Sequence, residues 1–289
     1  MSHPLFEIVT TTAGAISIRN KLVNEIMHNP VGPWLESNTL YIQQSKLAER
    51  LLQDPTSELV VFDVGLGAAA NALATLHCHK KTAGARPLKI ISFERDLELL
   101  KFALENAKQF DHFRGFEPAL AQILEQGSWS APGVTWELRH GDFVELIRTE
   151  PEHPHVVFFD PYSPQVNIDM WTVANFRQLR AKCREAMNGG TVLYTYSRAT
   201  PIRAALLSAG FFVGAGIKIG MKAETTQAST VLQELAAPFQ ERWLVRWKKS
   251  HAAFPLGLSE DQQGEIAELI LNHPQFQFTS SGGSGTSGL

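Results

Sequence analysis

Cysteine is nearly absent from this sequence: Cys78 and Cys183 are the only two in 289 residues. A disulfide framework is thereby excluded, and a reducing cytoplasm fits. No excess of either charge sign exists. Lys and Arg number 26 against 29 Asp and Glu, a net charge of −3 with a pI near 6.4. That balance excludes a strongly basic nucleic-acid clamp and leaves room only for a local basic patch. Long hydrophobic runs are also missing. The longest apolar stretch, Leu59 to Leu76, is broken by Asp63, Asn71 and a glycine loop, so it is too punctuated to span a membrane. The first residues lack the basic segment and apolar core of a signal peptide. His77, Cys78 and His79 are adjacent on a predicted helix and cannot converge on one ion, which argues against a metal site. With 44% hydrophobic and 19% charged residues, the composition is that of an ordinary globular chain, expected in the cytoplasm.

What the sequence does contain is alternation. Short apolar runs at Leu59–Val64, Lys89–Glu94, Val134–Arg139, Val156–Asp160 and Thr191–Tyr196 read as strands. Helical patterns separate them, from Ala68 to His79, Leu97 to Phe110, Val173 to Met187 and Pro201 to Gly210. Phe211–Val213 and Arg242–Trp247 supply two further predicted strands. The expectation is an α/β fold, a Rossmann-like, seven-stranded, mostly parallel sheet with an antiparallel edge strand. Residues 1–50 form an N-terminal extension, 51–250 the sheet domain, and 251–278 a helical extension in which Ser259 and Gln262 make a capping box. The Gly/Ser-rich tail 279–289 is expected to be disordered.

The chemistry concentrates where predicted strands end. Asp63-Val-Gly65-Leu-Gly67 joins a strand to a helix, where glycine permits a sharp turn and close approach of a ligand to free N–H groups. Ala70 stands at the third glycine of a dinucleotide fingerprint, a substitution that NAD sites tolerate. Two acids tilt the reading. Asp63 would repel a pyrophosphate but suits a cationic ligand, and Glu94 can accept from both hydroxyls of a ribose. Together they fit S-adenosylmethionine better than NAD. Asp142 ends the third strand, where it either accepts from an adenine amino group or caps the following helix. Asp160 ends the fourth strand in Asp160-Pro-Tyr-Ser-Pro164. Its carboxylate can take a proton from an amine nucleophile, and Tyr162 can stack on a base. The plain alternative is that Asp160 caps a turn. Arg177, Arg180 and Arg184 share one predicted helix face, with Arg198, Arg203, Lys218 and Lys222 available to extend a basic side.

These pieces in this order resemble the MnmC-type tRNA wobble-uridine methyltransferases. The resemblance covers roughly residues 25–220. It rests on Phe159-Asp160-Pro-Tyr-Ser-Pro164, then Asn167-Ile-Asp169-Met-Trp171, Phe176-Arg177, Asn188-Gly-Gly-Thr191 and Thr195-Tyr-Ser197, with Gly32-Pro-Trp-Leu-Glu36-Ser37 ahead of the sheet. It implies a class I S-adenosylmethionine-dependent methyltransferase that methylates an aminomethyl group on the tRNA wobble uridine. It assigns cofactor contacts to Glu36, Asp63, Gly65, Gly67, Asn71, Glu94, Asp142 and Asp160, and catalysis to Asp160 with Tyr162. One departure stands out. The family's loop continues Gly-Thr-Gly-Leu-Asn, whereas this chain reads Gly67-Ala-Ala-Ala-Asn71. That loop motivates a rival reading as a non-catalytic binding module, beside a second rival, an NAD-dependent oxidoreductase.

Overall fold

Three short strands open the chain. They are β1 (Phe6–Thr10), β2 (Ile16–Asn20) and β3 (Glu25–Ile26), paired antiparallel as a separate small sheet. The sequence offered no strong signal for them, because their outward residues are a mixture of polar and apolar types and their burial is only partial. The computed structural model describes residues 3–27, 30–217 and 224–277. The expected tail and two lysines of the expected basic side, Lys218 and Lys222, lie outside the described residues.

The main sheet is built from β4 (Leu59–Val64), β5 (Leu88–Glu94), β6 (Ser128–Ala131), β7 (Val134–His140), β8 (Val156–Phe159), β9 (Val192–Thr195), β10 (Phe212–Ala215) and β11 (Thr226–Ser229). Their order across the sheet is β10-β11-β9-β8-β4-β5-β7-β6. From β9 to β7 neighbouring strands run parallel, while β11 is antiparallel to both its neighbours and β6 is antiparallel to β7. The sheet therefore has eight strands, one more than expected, because Ser128–Ala131 returns along the edge of β7.

One predicted strand is a helix. Residues 242–247 lie within the helix Glu241–Lys248, and the antiparallel strand comes instead from Thr226–Ser229, which lies between β10 at the edge and β9. Trp243 and Trp247 are four apart and both buried, whereas Val245 between them is 50% exposed, so the burial follows a helical period and not an alternating one. Trp243 stacks between Phe239 and Phe276, with ring centroids 5.1 and 6.3 Å away. Gln275 then closes the sheet edge with its side-chain amide. It donates to the carbonyls of Val213 and Phe239 at 2.7 and 2.8 Å and accepts from Val213 N–H at 2.7 Å. Such pairing satisfies an edge strand that would otherwise present open backbone groups.

Both faces of the sheet are covered. Leu59 and Val61 of β4 join one buried cluster and Val60, Phe62 and Val64 the other, as a central parallel strand requires. The chain reverses direction of travel across the sheet at β4: it proceeds through β5 and β7 on one side and returns to β8 on the other. The gap beyond the carboxyl ends of β4 and β8 is thus the switch point at which open α/β sheets hold their ligands.

Candidate active site

Gly65 follows β4 at φ 89°. A Cβ there would lie 2.7 Å from the carbonyl oxygen of Asp160 and 3.0 Å from Cα of Pro161. The two loops at the switch point pass each other backbone to backbone, and only glycine lets them do so. Gly67 also has positive φ, at 53°, and its N–H donates to Glu94 Oε2 at 3.0 Å. Ala69, in the Ala-rich stretch, takes the left-handed conformation (φ 61°) at the cap of the helix Ala70–Lys81. The alanines therefore preserve a strand–turn–helix path.

Glu94 ends β5 with its carboxylate against this loop. Oε1 accepts from the N–H groups of Arg95 and Asp96 at 2.8 and 3.1 Å. Three of roughly four acceptor positions are taken, leaving Oε2 with capacity for one more donor. Burial raises its pKa, with those backbone N–H groups opposing. Asp63 is deeper, 1% exposed on the same face of the sheet. Its Oδ2 accepts from Ser92 Oγ at 2.8 Å, and Ser92 in turn accepts from Trp136 Nε1 at 2.9 Å. Oδ1 has no hydrogen-bond partner among the described residues. Burial pushes the Asp63 pKa up to about 8, and the nearby Asp160 and Glu94 carboxylates add to the rise.

Asp160 sits at the other lip of the gap. Asn71 Nδ2, from the first turn of the helix after the glycine loop, donates to Asp160 Oδ2 at 2.9 Å. Asn71 Oδ1 accepts from Ser37 Oγ at 2.7 Å, which ties the N-terminal extension to the same group. Ser37 opens a π-helix, Ser37–Gln43, that follows directly on buried Glu36. From that π-helix, Tyr41 packs its ring on Phe158 at 5.1 Å. Its hydroxyl is buried with the ring, and desolvation followed by the charges of Asp160 and Glu36 holds its pKa high. Wide π-helical turns recur at functional sites.

The loop after Asp160 is held from three sides. Tyr196 OH donates to the carbonyl of Pro161 at 3.0 Å and Trp171 Nε1 to that of Tyr162 at 2.9 Å. From the small sheet, Asn20 Nδ2 donates to Tyr162 OH at 3.0 Å and Glu25 accepts from Ser163 Oγ. Desolvation raises the pKa of both Tyr162 and Tyr196. Glu94 and Glu25 add to the rise in Tyr162, and Asp160, Glu25 and Glu36 to that in Tyr196. Carboxylates thus surround one opening.

Of the residues singled out from sequence, Glu36, Asp63, Gly65, Gly67, Asn71, Glu94, Asp160 and Tyr162 lie around this gap. Asp142 has an exposed side chain, accepts from Val144 N–H at 2.9 Å and caps the helix Phe143–Thr149, the second of its two expected roles. The expected arginine stripe does not form. The helix ends at Lys182, short of Arg184, and Arg180 pairs with Glu185 at 2.8 Å. Arg203 is 7% exposed, paired with Glu224 at 2.8 Å and stacked over Phe239. Sequence reasoning missed Tyr41, Ser92, Asn20 and Glu25. Only Tyr41 carried a signal, a polar atom inside an apolar stretch. Among the described residues, no group of three or more His, Cys, Asp or Glu could hold a metal, and no helix is long and apolar enough to cross a membrane.

The donor set fits a ligand with a positive charge and a sugar hydroxyl. Asp63 Oδ1 is buried and unpartnered, Glu94 Oε2 retains acceptor capacity, and the flanking groups are carboxylates. Comparison with known proteins agrees. A family profile described as S-adenosyl-L-methionine-dependent methyltransferase matches residues 113–231. The chain is 24% identical over 233 residues to the tRNA 5-methylaminomethyl-2-thiouridine biosynthesis bifunctional protein MnmC of Campylobacter concisus, covering 78% of this chain and 36% of that one. It is 30% identical over 200 residues to the MnmC protein of Pseudomonas entomophila, covering 65% and 30% respectively. The chain thus spans about a third of the length of these curated relatives. Its fold matches that of MnmC2 from Aquifex aeolicus with a TM-score of 0.72 at 23% identity, over 93% of this chain and 83% of the other. Fold, site and profile define an S-adenosyl-L-methionine-dependent methyltransferase with S-adenosylmethionine as its cofactor. Within that class, the chain is most usefully compared with the MnmC-type methyltransferases, to which it is similar in sequence and in fold.

Proposed function

We propose that this chain methylates a primary amine, the aminomethyl group of a tRNA wobble uridine, in the cytoplasm. The observation that carries this reading is the placement of Asp160. Its carboxylate stands at the switch point, oriented by Asn71, while its backbone carbonyl passes close against Gly65 of the glycine loop. Bound S-adenosylmethionine supplies a methyl group on a positively charged sulfur. Asp63 and Glu94 would hold its cationic and ribose portions, with Gly65, Gly67, Asn71 and Glu36 lining its path. Asp142 contributes at most from the rim, since its near oxygen already caps a helix. Asp160 orients the incoming amine and takes its proton, so that the nitrogen lone pair faces the donor. The surrounding carboxylates favour a cationic donor and an amine acceptor over an anionic pair, which also disfavours a pyrophosphate-bearing nucleotide at this loop. The small N-terminal sheet acts as a cover: Asn20 and Glu25 hold the Tyr162–Ser163 segment, and Tyr162 offers its ring to the acceptor base. Similarity to proteins of tRNA 5-methylaminomethyl-2-thiouridine biosynthesis supports tRNA as acceptor.

Replacing Asp160 by Asn tests the chemistry. It keeps the shape but removes charge and basicity, so turnover should fall about 10²–10⁴-fold. The dissociation constant of S-adenosylhomocysteine should stay within a small factor. Methyl incorporation into tRNA lacking the final wobble methyl group is the assay. Full activity in Asp160→Asn overturns the proton-accepting role, and no transfer by the wild type despite tight cofactor binding overturns the acceptor.

A further inference from the structure

A second cavity, of about 580 Å³, opens between the tip of the small sheet, the segment before Glu36 and the stretch around residue 110. Its walls carry Trp34, His77, Gln109, Phe110, His112 and Arg114. The volume falls in the range of sites for small planar ligands. The rings are arranged as a corner. Trp34 and His112 are stacked, 5.6 Å apart and 14° from coplanar. His77 meets Trp34 edge-on at 5.4 Å and 82°, and Phe110 meets His112 at 5.9 Å and 66°. Arg114 stands exposed at the mouth, 3.5 Å from the equally exposed Asp111, and Gln109 offers amide groups that match a base edge.

We propose that this aromatic corner receives an unpaired nucleobase of the RNA whose neighbouring nucleotide enters the active site; the inference rests on the tRNA reading above. Three observations converge on it. The cavity and the site share their scaffold, because Trp34 is two residues before Glu36 and His77 lies on the same helix as Asn71, about 9 Å along at ~1.5 Å per residue. An adjacent base in a single-stranded loop therefore has a surface to rest on. The charge balance is the second. At a net charge of −3, and with Arg180 and Arg203 paired internally, broad phosphate attraction is weak. Affinity for RNA must then draw on base contacts. The chemistry is the third, since bases splayed from RNA loops stack on Trp, Phe and His rings and on Arg planes.

The test measures binding of a synthetic anticodon stem–loop RNA by fluorescence anisotropy, with S-adenosylhomocysteine affinity followed in parallel. Trp34→Ala should weaken RNA binding about 10–100-fold, the scale of one lost base stack. Trp34→Phe should retain most of the affinity, and S-adenosylhomocysteine binding should stay unchanged in both. His112→Ala, at the other side of the corner, should reproduce the loss and serves if Trp34→Ala fails to fold. RNA affinity equal to wild type in Trp34→Ala or His112→Ala overturns the pocket while leaving the tRNA reading intact. A wild-type protein that binds no stem–loop RNA overturns the tRNA reading, and the pocket with it.

Discussion

Gly65 shows how a single residue decides whether the site can assemble. A methyl group there would meet the Asp160 carbonyl at 2.7 Å, and the backbone sits at a φ of 89° that side-chain-bearing residues avoid. Gly65→Ala should therefore destabilise the fold by about 2–5 kcal/mol, combining backbone strain with overpacking. Urea denaturation measures it, and a loss below about 1 kcal/mol would show that the loops can part. Asp63 poses a different problem. Its native pKa is near 8, against ~3.9 in an unfolded chain. Between those values the native state keeps a proton that the unfolded state has released, so this group's contribution to stability declines as pH rises from about 4 to about 8. Asp63→Asn should remove that slope. Melting temperatures of variant and wild type should lie close at pH ~4 and separate in the variant's favour by pH ~8, and parallel curves would contradict the assignment.

Among the elements, the C-terminal helix Glu260–Leu271 states its own beginning. Ser259 Oγ accepts from Gln262 N–H at 3.4 Å and Gln262 Oε1 accepts from Ser259 N–H at 3.0 Å, the reciprocal pair expected from sequence. Ser259→Ala should lower the stability of this helix by about 0.5–2 kcal/mol, visible as faster amide exchange in its first turn. The helix Glu241–Lys248 was not legible in the same way. Arg242-Trp-Leu-Val-Arg-Trp247 satisfies an alternating pattern and a four-residue spacing at once. Periodicity cannot choose between them over six residues. The stacking partners Phe239 and Phe276, one of them distant in sequence, made the choice.

At the scale of the molecule, the chain from the helix Glu241–Lys248 onward completes the edge of the sheet. Trp243 is 6% exposed between two rings, and Gln275 pairs with the backbone of β10. Trp243→Ala should cost about 3–5 kcal/mol, the range for a buried large aromatic, with the loss read by thermal or chemical denaturation. The small N-terminal sheet does the corresponding service at the site, where Asn20 and Glu25 reach the loop after Asp160. Both extensions act on the central sheet from far away in sequence. Neither connection has a local signature.

The residues that end strands β4, β5 and β8 announced themselves locally. Asp63, Gly65, Glu94 and Asp160 stand at the close of apolar runs followed by turn residues, and strand–helix alternation alone places such positions on one edge of a parallel sheet. The five-strand parallel core, the glycine loop and the acids beside it were therefore legible without coordinates. Asn71 holding Asp160, Ser37 holding Asn71, Tyr41 with its hydroxyl buried beside them, and the arrest of Arg203 in an ion pair were decided only by tertiary structure. The physical reason is range. A turn or a capping box is set by neighbours a few residues apart, whereas a partly buried hydrogen bond between residues 89 apart, such as Asn71 to Asp160, exists only because the packed sheet brings its two ends within 3 Å.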